Sequence, residues 1–247
     1  MSWLERTELL LGKEKLDKLK QAHVLVVGLG GVGAYAAEQL CRAGVGKLTI
    51  VDGDVVEESN RNRQLPALLS TKGMPKAEVL AARFLDINPD LELTVINDFI
   101  REEKTIELLK STPYDYVVDA IDTLSPKVFL VYHACQLGLN IVSSMGAGGK
   151  MDPSKIQLTD ISKSYQCGLA KMMRKRLSRL GIKKGVKVVF SPEEIDEKAI
   201  RPEESRNKKS TVGTISYMPP LFGCFIASAV ILDLTKGNVN IQPGGFQ

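Results

Sequence analysis

The chain has 247 residues, enough for one large domain or for one domain with an appendage. Hydrophobic residues make up 44% of it and charged residues 25%, as in an ordinary soluble globular protein, and the net charge of +4 identifies no partner by itself. The four cysteines form no C-x-x-C pair, which argues against a structural zinc site and against a disulfide framework. We expect a reducing, cytoplasmic location, since the N-terminus carries no secretory pattern.

Hydrophobic periodicity predicts an amphipathic helix over residues 4–20, followed by strands and helices in alternation. The predicted strands are residues 23–28, 47–52, 91–96, 116–122 and 140–144. The predicted helices between them cover residues 34–43, 77–87, 106–110 and 127–137. This alternation predicts an α/β fold with a Rossmann-like, doubly wound and mostly parallel sheet.

Residues 147–160 look like the start of a smaller antiparallel part. We therefore predict a nucleotide-binding portion over residues 1–145 and a C-terminal antiparallel and helical extension over residues 146–247, within one continuous domain. The apolar stretch at 217–234 is close to the shortest length that spans a bilayer. We interpret it as a buried core segment, with membrane contact as the alternative.

A glycine-rich loop, formed by Gly28, Gly30, Gly31 and Gly33, connects the first predicted strand to the next helix. Glycines permit a tight turn there, and the helix N-terminus offers free N–H groups to a phosphate. Asp52 ends the next strand, where a carboxylate can hold ribose hydroxyls. This pattern fits a NAD enzyme, a methyltransferase or a nucleotide-activating enzyme equally well.

Polar and basic residues just past Asp52 favour a nucleoside triphosphate. Asp54, Asn60 and Gln64 lie in this region together with two cations, Arg63 and Lys76. Arg63 can bind phosphate oxygens in a bidentate manner, and Lys76 can add a compact charge. A nicotinamide site needs neither cation.

The predicted strand at 116–122 ends in a second acidic position. Asp122 is expected at the carboxyl end of that strand, where a carboxylate can hold Mg²⁺ against phosphates. Asp119 lies deeper in the sheet and is interpreted as structural.

In combination, these motifs resemble the E1-like family, which includes the molybdopterin and thiamine adenylyltransferases. The resemblance covers residues 5–145 and rests on Arg6, the glycine-rich loop and the segments 52–54, 60–64, 73–76, 88–89 and 119–122. It implies that ATP activates a carboxylate as an acyl-adenylate. Arg63 and Lys76 would then bind the phosphates, Asp122 would hold Mg²⁺, and Arg6 would reach the ATP of the other subunit in a homodimer. The implied ATP-binding residues are Gly28, Gly30, Gly31, Gly33, Asp52, Asp54, Asn60, Arg63, Gln64, Lys76 and Asp122.

The chain departs from the sulfur-carrier branch of that family. The two C-x-x-C pairs usual there are missing, and Asp122-Thr123 stands where Asp-Asn is usual. No cysteine stands out as a thioester nucleophile; Cys167 is the nearest candidate.

A narrower resemblance, to the family of tRNA threonylcarbamoyladenosine dehydratases, covers nearly the whole chain. It is carried by residues 144–149, 152–153, 157–160, 169–177, 189–191 and 213–223. It implies ATP-dependent ring closure on the modified adenosine at position 37 of tRNA, with a sulfur-transfer protein as an optional partner. The family often has Asp-Pro where this chain has Cys167-Gly168.

A basic segment independently favours a nucleic-acid partner. Residues 163–187 contain nine Lys or Arg residues and no Asp or Glu, an electrostatic pattern suited to phosphates. A solvated helix face is the plain alternative. Tyr165 and Tyr217 are candidates for stacking on a base, although packing is the simpler interpretation. The predicted tRNA-binding residues are Lys171, Arg174, Lys175, Arg176, Arg179, Lys183 and Lys184.

Three other functions stay open on the sequence. One is adenylation of the C-terminus of a ubiquitin-like sulfur carrier. A NAD-dependent oxidoreductase is the second, although Arg63 and Lys76 would then have no explanation. The third is a tRNA-binding module that retains a degenerate nucleotide fold.

Overall fold

The computed structural model describes residues 2–202 and 210–236. Its strands are β1 His23–Val27, β2 Lys47–Val51, β3 Glu92–Ile96, β4 Tyr116–Asp119, β5 Ile141–Ser144, β6 Gln157–Asp160, β7 Lys187–Phe190, β8 Ile200–Pro202 and β9 Ser210–Val212. Its α-helices are α1 Glu5–Leu11, α2 Lys13–Gln21, α3 Gly33–Arg42, α4 Lys76–Ile87, α5 Glu102–Lys110, α6 Leu124–Gln136, α7 Gly168–Arg179 and α8 Met218–Thr235.

Seven strands form one sheet in the order β3-β2-β1-β4-β5-β7-β6. All neighbours are parallel except β6, which pairs antiparallel with β7. Strands β8 and β9 form a separate antiparallel pair. The strand order reverses between β1 and β4, and ligands of such sheets bind at the carboxyl ends of the strands beside this reversal.

Helices cover both faces of the sheet, and the alternation of side chains along each strand explains why. In β1, Val24 and Val26 contribute to the core layer shared with α3, α4 and α8. Leu25 and Val27 point the other way, into the layer shared with α5, α6 and α7. A strand buried on both faces requires a continuous apolar run, which β1 has.

Helix α8 is apolar on nearly all sides and packs against α3, β5 and β7. A Cβ on Gly223 would lie 2.5 Å from the carbonyl oxygen of Val32, so a glycine is needed for this close packing. By length and composition the helix could cross a membrane, and half of it is buried within the protein. Its packing is that of a core helix.

Two predicted elements were wrong in extent. The helix expected over residues 4–20 is two helices, because Gly12 adopts φ 82°, a left-handed conformation that interrupts the helix. The strand expected over 116–122 ends at Asp119, whose Oδ1 accepts a hydrogen bond from the N–H of Ile121 at 3.1 Å. Asp122 therefore lies on the turn before α6 instead of ending the strand.

The sheet continues across the predicted boundary at residues 145 and 146. Strand β7 pairs in parallel with β5, and β6 then pairs with β7. The antiparallel extension therefore enlarges the main sheet.

Candidate active site

The glycine-rich loop connects β1 to α3 at the carboxyl edge of the sheet. Gly28 has φ 90°, and a Cβ on it would lie 2.7 Å from the carbonyl oxygen of Ala120. A Cβ on Gly33 would lie 1.8 Å from the carbonyl oxygen of Gly28. Only glycine fits these two positions, and the turn aims the N-terminus of α3 into the crevice, where its N–H groups can meet a phosphate.

Asp52 connects this loop to the end of β2. Its Oδ2 accepts the N–H of Leu29 at 2.6 Å, and its Oδ1 accepts the N–H of Asp54 at 2.8 Å. Burial raises the pKa of this carboxyl, while the Lys76 charge and the two N–H donors oppose the rise. Each oxygen retains a lone pair, so the carboxylate can still accept a ribose hydroxyl.

Lys76 is the first residue of α4, and its side chain is only 5% exposed. The ammonium group lies 2.9 Å from Oδ2 of Asp54, and the Lys76 N–H donates to the Asp54 carbonyl at 3.0 Å. This pairing holds the positive charge of Lys76 beside Asp52, away from bulk solvent. A phosphate entering the crevice would meet an ammonium group that is already in place.

Arg63 follows a short turn that Asn60 stabilises by accepting the N–H of Glu57 at 3.1 Å. The guanidinium donates to the carbonyl of Ser59 at 3.0 Å and to Oδ1 of Asn62 at 2.8 Å. Burial lowers the pKa of Arg63, and the negative charge of Asp122 counteracts this shift. The charges of Arg63 and Asp122 are therefore close enough to interact, and both side chains border the same part of the crevice.

Gln64 has a buried amide oxygen with no hydrogen-bond partner among the described residues. A Cβ on Gly30 would lie 3.8 Å from the other end of this amide. A buried, unpaired acceptor beside the glycine-rich loop is an unusual feature in a folded protein. It fits a ligand that supplies an N–H or O–H donor at this point.

A buried ion pair that was not predicted from the sequence supports the turn that carries Asp122. Lys127 and Asp119 are both fully buried, with Nζ and Oδ2 2.8 Å apart. Lys127 also donates to the carbonyl of Ile121 at 2.9 Å, and the Ser143 hydroxyl donates to Asp119 at 2.5 Å. The available signal was a lysine within a mostly apolar helix.

Arg6 lies outside the site within one chain. It is exposed on α1, whose preceding residue Leu4 packs against Gly44, just past the C-terminus of α3. The glycine-rich loop is at the other end of α3, about 15 Å away. The structure thus brings together Arg63, Lys76 and Asp122 but leaves Arg6 at the opposite edge of the sheet.

The segment before α8 returns to the carboxyl edge of the sheet. A Cβ on Gly31 would lie 2.9 Å from the Pro219 side chain. Asn62 donates to the carbonyl of Thr214 at 2.9 Å, and the Tyr217 hydroxyl donates to the carbonyl of Met151 at 2.8 Å. The C-terminal part therefore forms one side of the crevice, an arrangement that no sequence motif predicts.

Most of the predicted tRNA-binding residues project from α7 and the loop after it. Ala170, Met173 and Leu177 form the buried face of the helix. Arg174 is half-buried and bonded to Ser164, while Arg176 donates to the hydroxyl of Ser125 at 2.9 Å near the start of α6. The exposed members of the predicted set are Lys171, Lys175, Arg176, Arg179, Lys183 and Lys184.

Among the described residues, the site offers single carboxylates as potential metal ligands. In the described ranges, no group of three His, Cys, Asp or Glu side chains converges as for a metal ion. Asp122 is exposed, and its charge lies close enough to Arg63 for the two to interact. One such carboxylate suits Mg²⁺, which keeps several waters and takes other ligands from substrate phosphates. The four cysteines are free thiols, and Cys167 is buried.

The family comparison agrees with this geometry. The model of the ThiF family matches residues 4–243. The chain belongs to the ThiF family. The tRNA threonylcarbamoyladenosine dehydratase of Bacillus subtilis is 42% identical to this ThiF-family chain over 239 residues, covering 94% of each.

Solved structures give the same result. The crystal structure of the Escherichia coli tRNA N6-threonylcarbamoyladenosine dehydratase in complex with ATP matches with a TM-score of 0.84 and 36% identity, covering 93% of this chain and 92% of that one. The same protein in complex with AMP matches with a TM-score of 0.84 and 37% identity over the same shares. The expected family and the Rossmann-like fold of this ThiF-family chain are confirmed. The roles of single side chains stay predictions.

Proposed function

We propose that this ThiF-family chain is an ATP-dependent tRNA threonylcarbamoyladenosine dehydratase. The observation that carries the proposal is the crevice where Arg63, Lys76 and Asp122 meet the glycine-rich loop. It lies in a chain that resembles dehydratases over almost its full length.

In the first step, the threonyl carboxylate of the modified nucleoside attacks the α-phosphorus of ATP. A P–O bond forms, the bond to the β-phosphate oxygen breaks, and pyrophosphate leaves. Arg63 and Lys76 stabilise the charge that grows on the phosphate oxygens. Both groups are half-buried or buried, where a fixed positive charge acts more strongly than in water.

In the second step, the carbamoyl group of the same side chain attacks the acyl carbon. The ring closes, AMP leaves with the acyl oxygen, and the attacking group loses its proton to water. The nucleoside has then lost one water overall. Because nucleophile and electrophile belong to one molecule, positioning contributes more than an acid–base pair.

Asp122 would hold Mg²⁺ together with phosphate oxygens, and the metal would neutralise part of the phosphate charge. The exposure of its carboxylate suits a ligand that binds together with a nucleotide. Within the chain, Asp122 also balances Arg63.

For the RNA, we propose that α7 and the loop after it bind phosphates of the tRNA. The exposed cations of this segment lie on one side of the helix, and Arg176 reaches the start of α6 beside Asp122. Bound RNA would thus lie next to the ATP crevice.

We further propose a homodimer in which Arg6 serves the ATP of the partner subunit. Leu9 and Leu10 on the same helix are 80% and 84% exposed, an apolar surface suited to a subunit interface. A cytoplasmic location is in accord with four free thiols. Assistance by a sulfur-transfer protein stays a prediction from the resemblance.

The test is to incubate the protein with Mg-ATP and tRNA carrying threonylcarbamoyladenosine, then to measure the nucleosides by mass spectrometry. We expect a product lighter by one water that requires ATP and that Asp122→Ala abolishes. Asp90→Ala, which removes an exposed carboxylate at the opposite edge of the sheet, is the matched control and should retain activity. An unchanged nucleoside with protein that binds ATP would point instead to adenylation of a sulfur-carrier protein.

A further inference from the structure

An open cavity of about 550 Å³ lies beyond the ATP crevice, at the end of the sheet formed by β7 and β6. The first residue of β6, Gln157, pairs with Phe190, the last residue of β7. Since β7 runs parallel to β5, the cavity opens at the same carboxyl edge as the glycine-rich loop. Its lining includes the polar and aromatic side chains Gln157, Tyr165 and Gln166, the carboxylates Glu193 and Glu194, and one cation, Lys155.

One wall of this cavity is an aromatic ring. Tyr165 is 48% exposed, and its ring packs edge-on against buried Phe190, with the centroids 5.7 Å apart and the planes at 71°. The next residue, Gln166, has φ 49°, the only positive value for a non-glycine residue in the described ranges. Its amide donates to Glu194 at 2.9 Å. Such local strain is maintained by the surroundings and is common at ligand sites.

The charge of the cavity differs from that of the neighbouring helix. Glu193 accepts the N–H groups of Met151 and Asp152 at 3.0 and 2.9 Å, and buried Lys150 donates to its carbonyl. The two carboxylates outnumber the one lysine of the lining, Lys155, which pairs with Asp152, so the cavity disfavours a phosphate. The carboxylates can accept N–H groups from the edge of a base. The basic helix α7 begins at Gly168, three residues after Tyr165 in the chain. Phosphate binding and base binding are thus placed side by side.

We propose that this cavity binds the modified adenine base, with Tyr165 as its stacking platform and the glutamine and glutamate side chains at its edge. The proposal rests on the dehydratase function given above. Unpaired RNA bases are commonly stacked on aromatic side chains and bound at their edges. The cavity is thus the subsite that selects the nucleoside, separate from the ATP crevice.

The spacing of the strands suits this arrangement. The end of β7 lies two strands from the end of β4, which is about 10 Å at the usual spacing. A threonylcarbamoyl arm, slightly longer than one extended residue, spans about 5 Å. The arm and the base together bridge the distance. A nucleoside whose base lies on Tyr165 can therefore present the carboxylate of its threonylcarbamoyl arm near Asp122.

The first test compares Tyr165→Ala and Tyr165→Phe by steady-state kinetics with the modified tRNA. Tyr165→Ala removes the stacking contact with one base, which should raise the KM for tRNA about tenfold, equivalent to about 1.4 kcal/mol. The KM for ATP should stay at the wild-type value. Tyr165→Phe keeps the ring and should resemble the wild type. An unchanged KM for tRNA in Tyr165→Ala would overturn the proposal.

A binding measurement separates this proposal from the dehydratase function. The double variant Trp3→Phe, Tyr165→Trp has one tryptophan, located at the platform, because Trp3 is the only native one. An anticodon stem-loop with threonylcarbamoyladenosine should quench its fluorescence, whereas the same RNA with an abasic nucleotide at that position should quench far less. Equal quenching by both RNAs would overturn the subsite, whether or not the enzyme forms product. Quenching specific to the base without product would retain the subsite and reject the dehydration.

Discussion

Most side chains expected to hold ATP already have partners within the protein. Asp52 holds the glycine-rich loop, Lys76 pairs with Asp54, and Arg63 is bound to the carbonyl of Ser59. Binding of a nucleotide would therefore exchange partners around groups that are already positioned. Such pre-organisation reduces the conformational entropy lost on binding.

Lys127 provides the sharpest prediction for a single residue. Lys127→Met should lower the free energy of unfolding by about 3–5 kcal/mol, because it leaves the buried Asp119 carboxylate without its counter-charge. The double variant Asp119→Asn, Lys127→Met removes both charges and should regain part of that loss. Urea unfolding of the wild type and both variants measures this. A double variant less stable than Lys127→Met would contradict the explanation.

The charged groups at the crevice could be predicted from the sequence, but the buried residues that hold them in place could not. Glycines, Arg63, Lys76 and Asp122 stand out because their spacing along a βαβ pattern is recognisable. Lys127 and Ser143 were missed, since their role depends on a contact between α6 and the sheet that no local pattern encodes. The early end of β4 was missed because the Asp119 side chain competes for the N–H of Ile121.

At the scale of elements, the two faces of α7 have different roles, one in core packing and one in the proposed RNA binding. Its buried face packs against the rest of the protein through Ala170, Met173 and Leu177, and its outer face is basic. Because the charges lie on the solvent side, removing them should change RNA binding without damage to the core.

The triple variant Lys175→Gln, Arg179→Gln, Lys183→Gln tests this. We expect weaker tRNA binding and a salt dependence, as log K against log salt, reduced by about 2 to 3 if all three cations contact phosphates. The matched control removes three exposed lysines of α2, by Lys13→Gln, Lys15→Gln and Lys20→Gln. Equal losses in both triple variants would mean that net charge alone is responsible.

At the scale of the whole molecule, the crevice of one chain lacks its predicted N-terminal arginine. Arg6 lies beyond the opposite end of α3, so a role at the ATP crevice would require a second subunit. The fold class, the parallel order and the antiparallel extension were foreseeable from the alternating pattern. The return of the C-terminal segment to the crevice was not, because it depends on packing between distant parts of the chain.

Mixing two inactive variants tests the action of Arg6 across subunits. Arg6→Ala and Asp122→Ala should each be inactive alone. A heterodimer of the two has one intact crevice, so random pairing in a two-fold dimer should restore about a quarter of wild-type activity. The readout is formation of the lighter nucleoside after the variants have been unfolded together and refolded. Absence of any recovery in confirmed heterodimers would place Arg6 outside the partner's site.

The packing of α8 against α3 has a consequence for synthesis of the protein. Helix α3 belongs to the first βαβ unit, whereas α8 ends at residue 235. While the ribosome is still making the intervening residues, the face of α3 around Tyr35 and Ala36, which packs against Gly223, is not yet covered by α8. The nascent chain therefore exposes an apolar surface for most of its translation, and such a surface favours aggregation until α8 covers it. Contacts between such distant segments also slow folding, so the ATP crevice matures only after translation has passed α8.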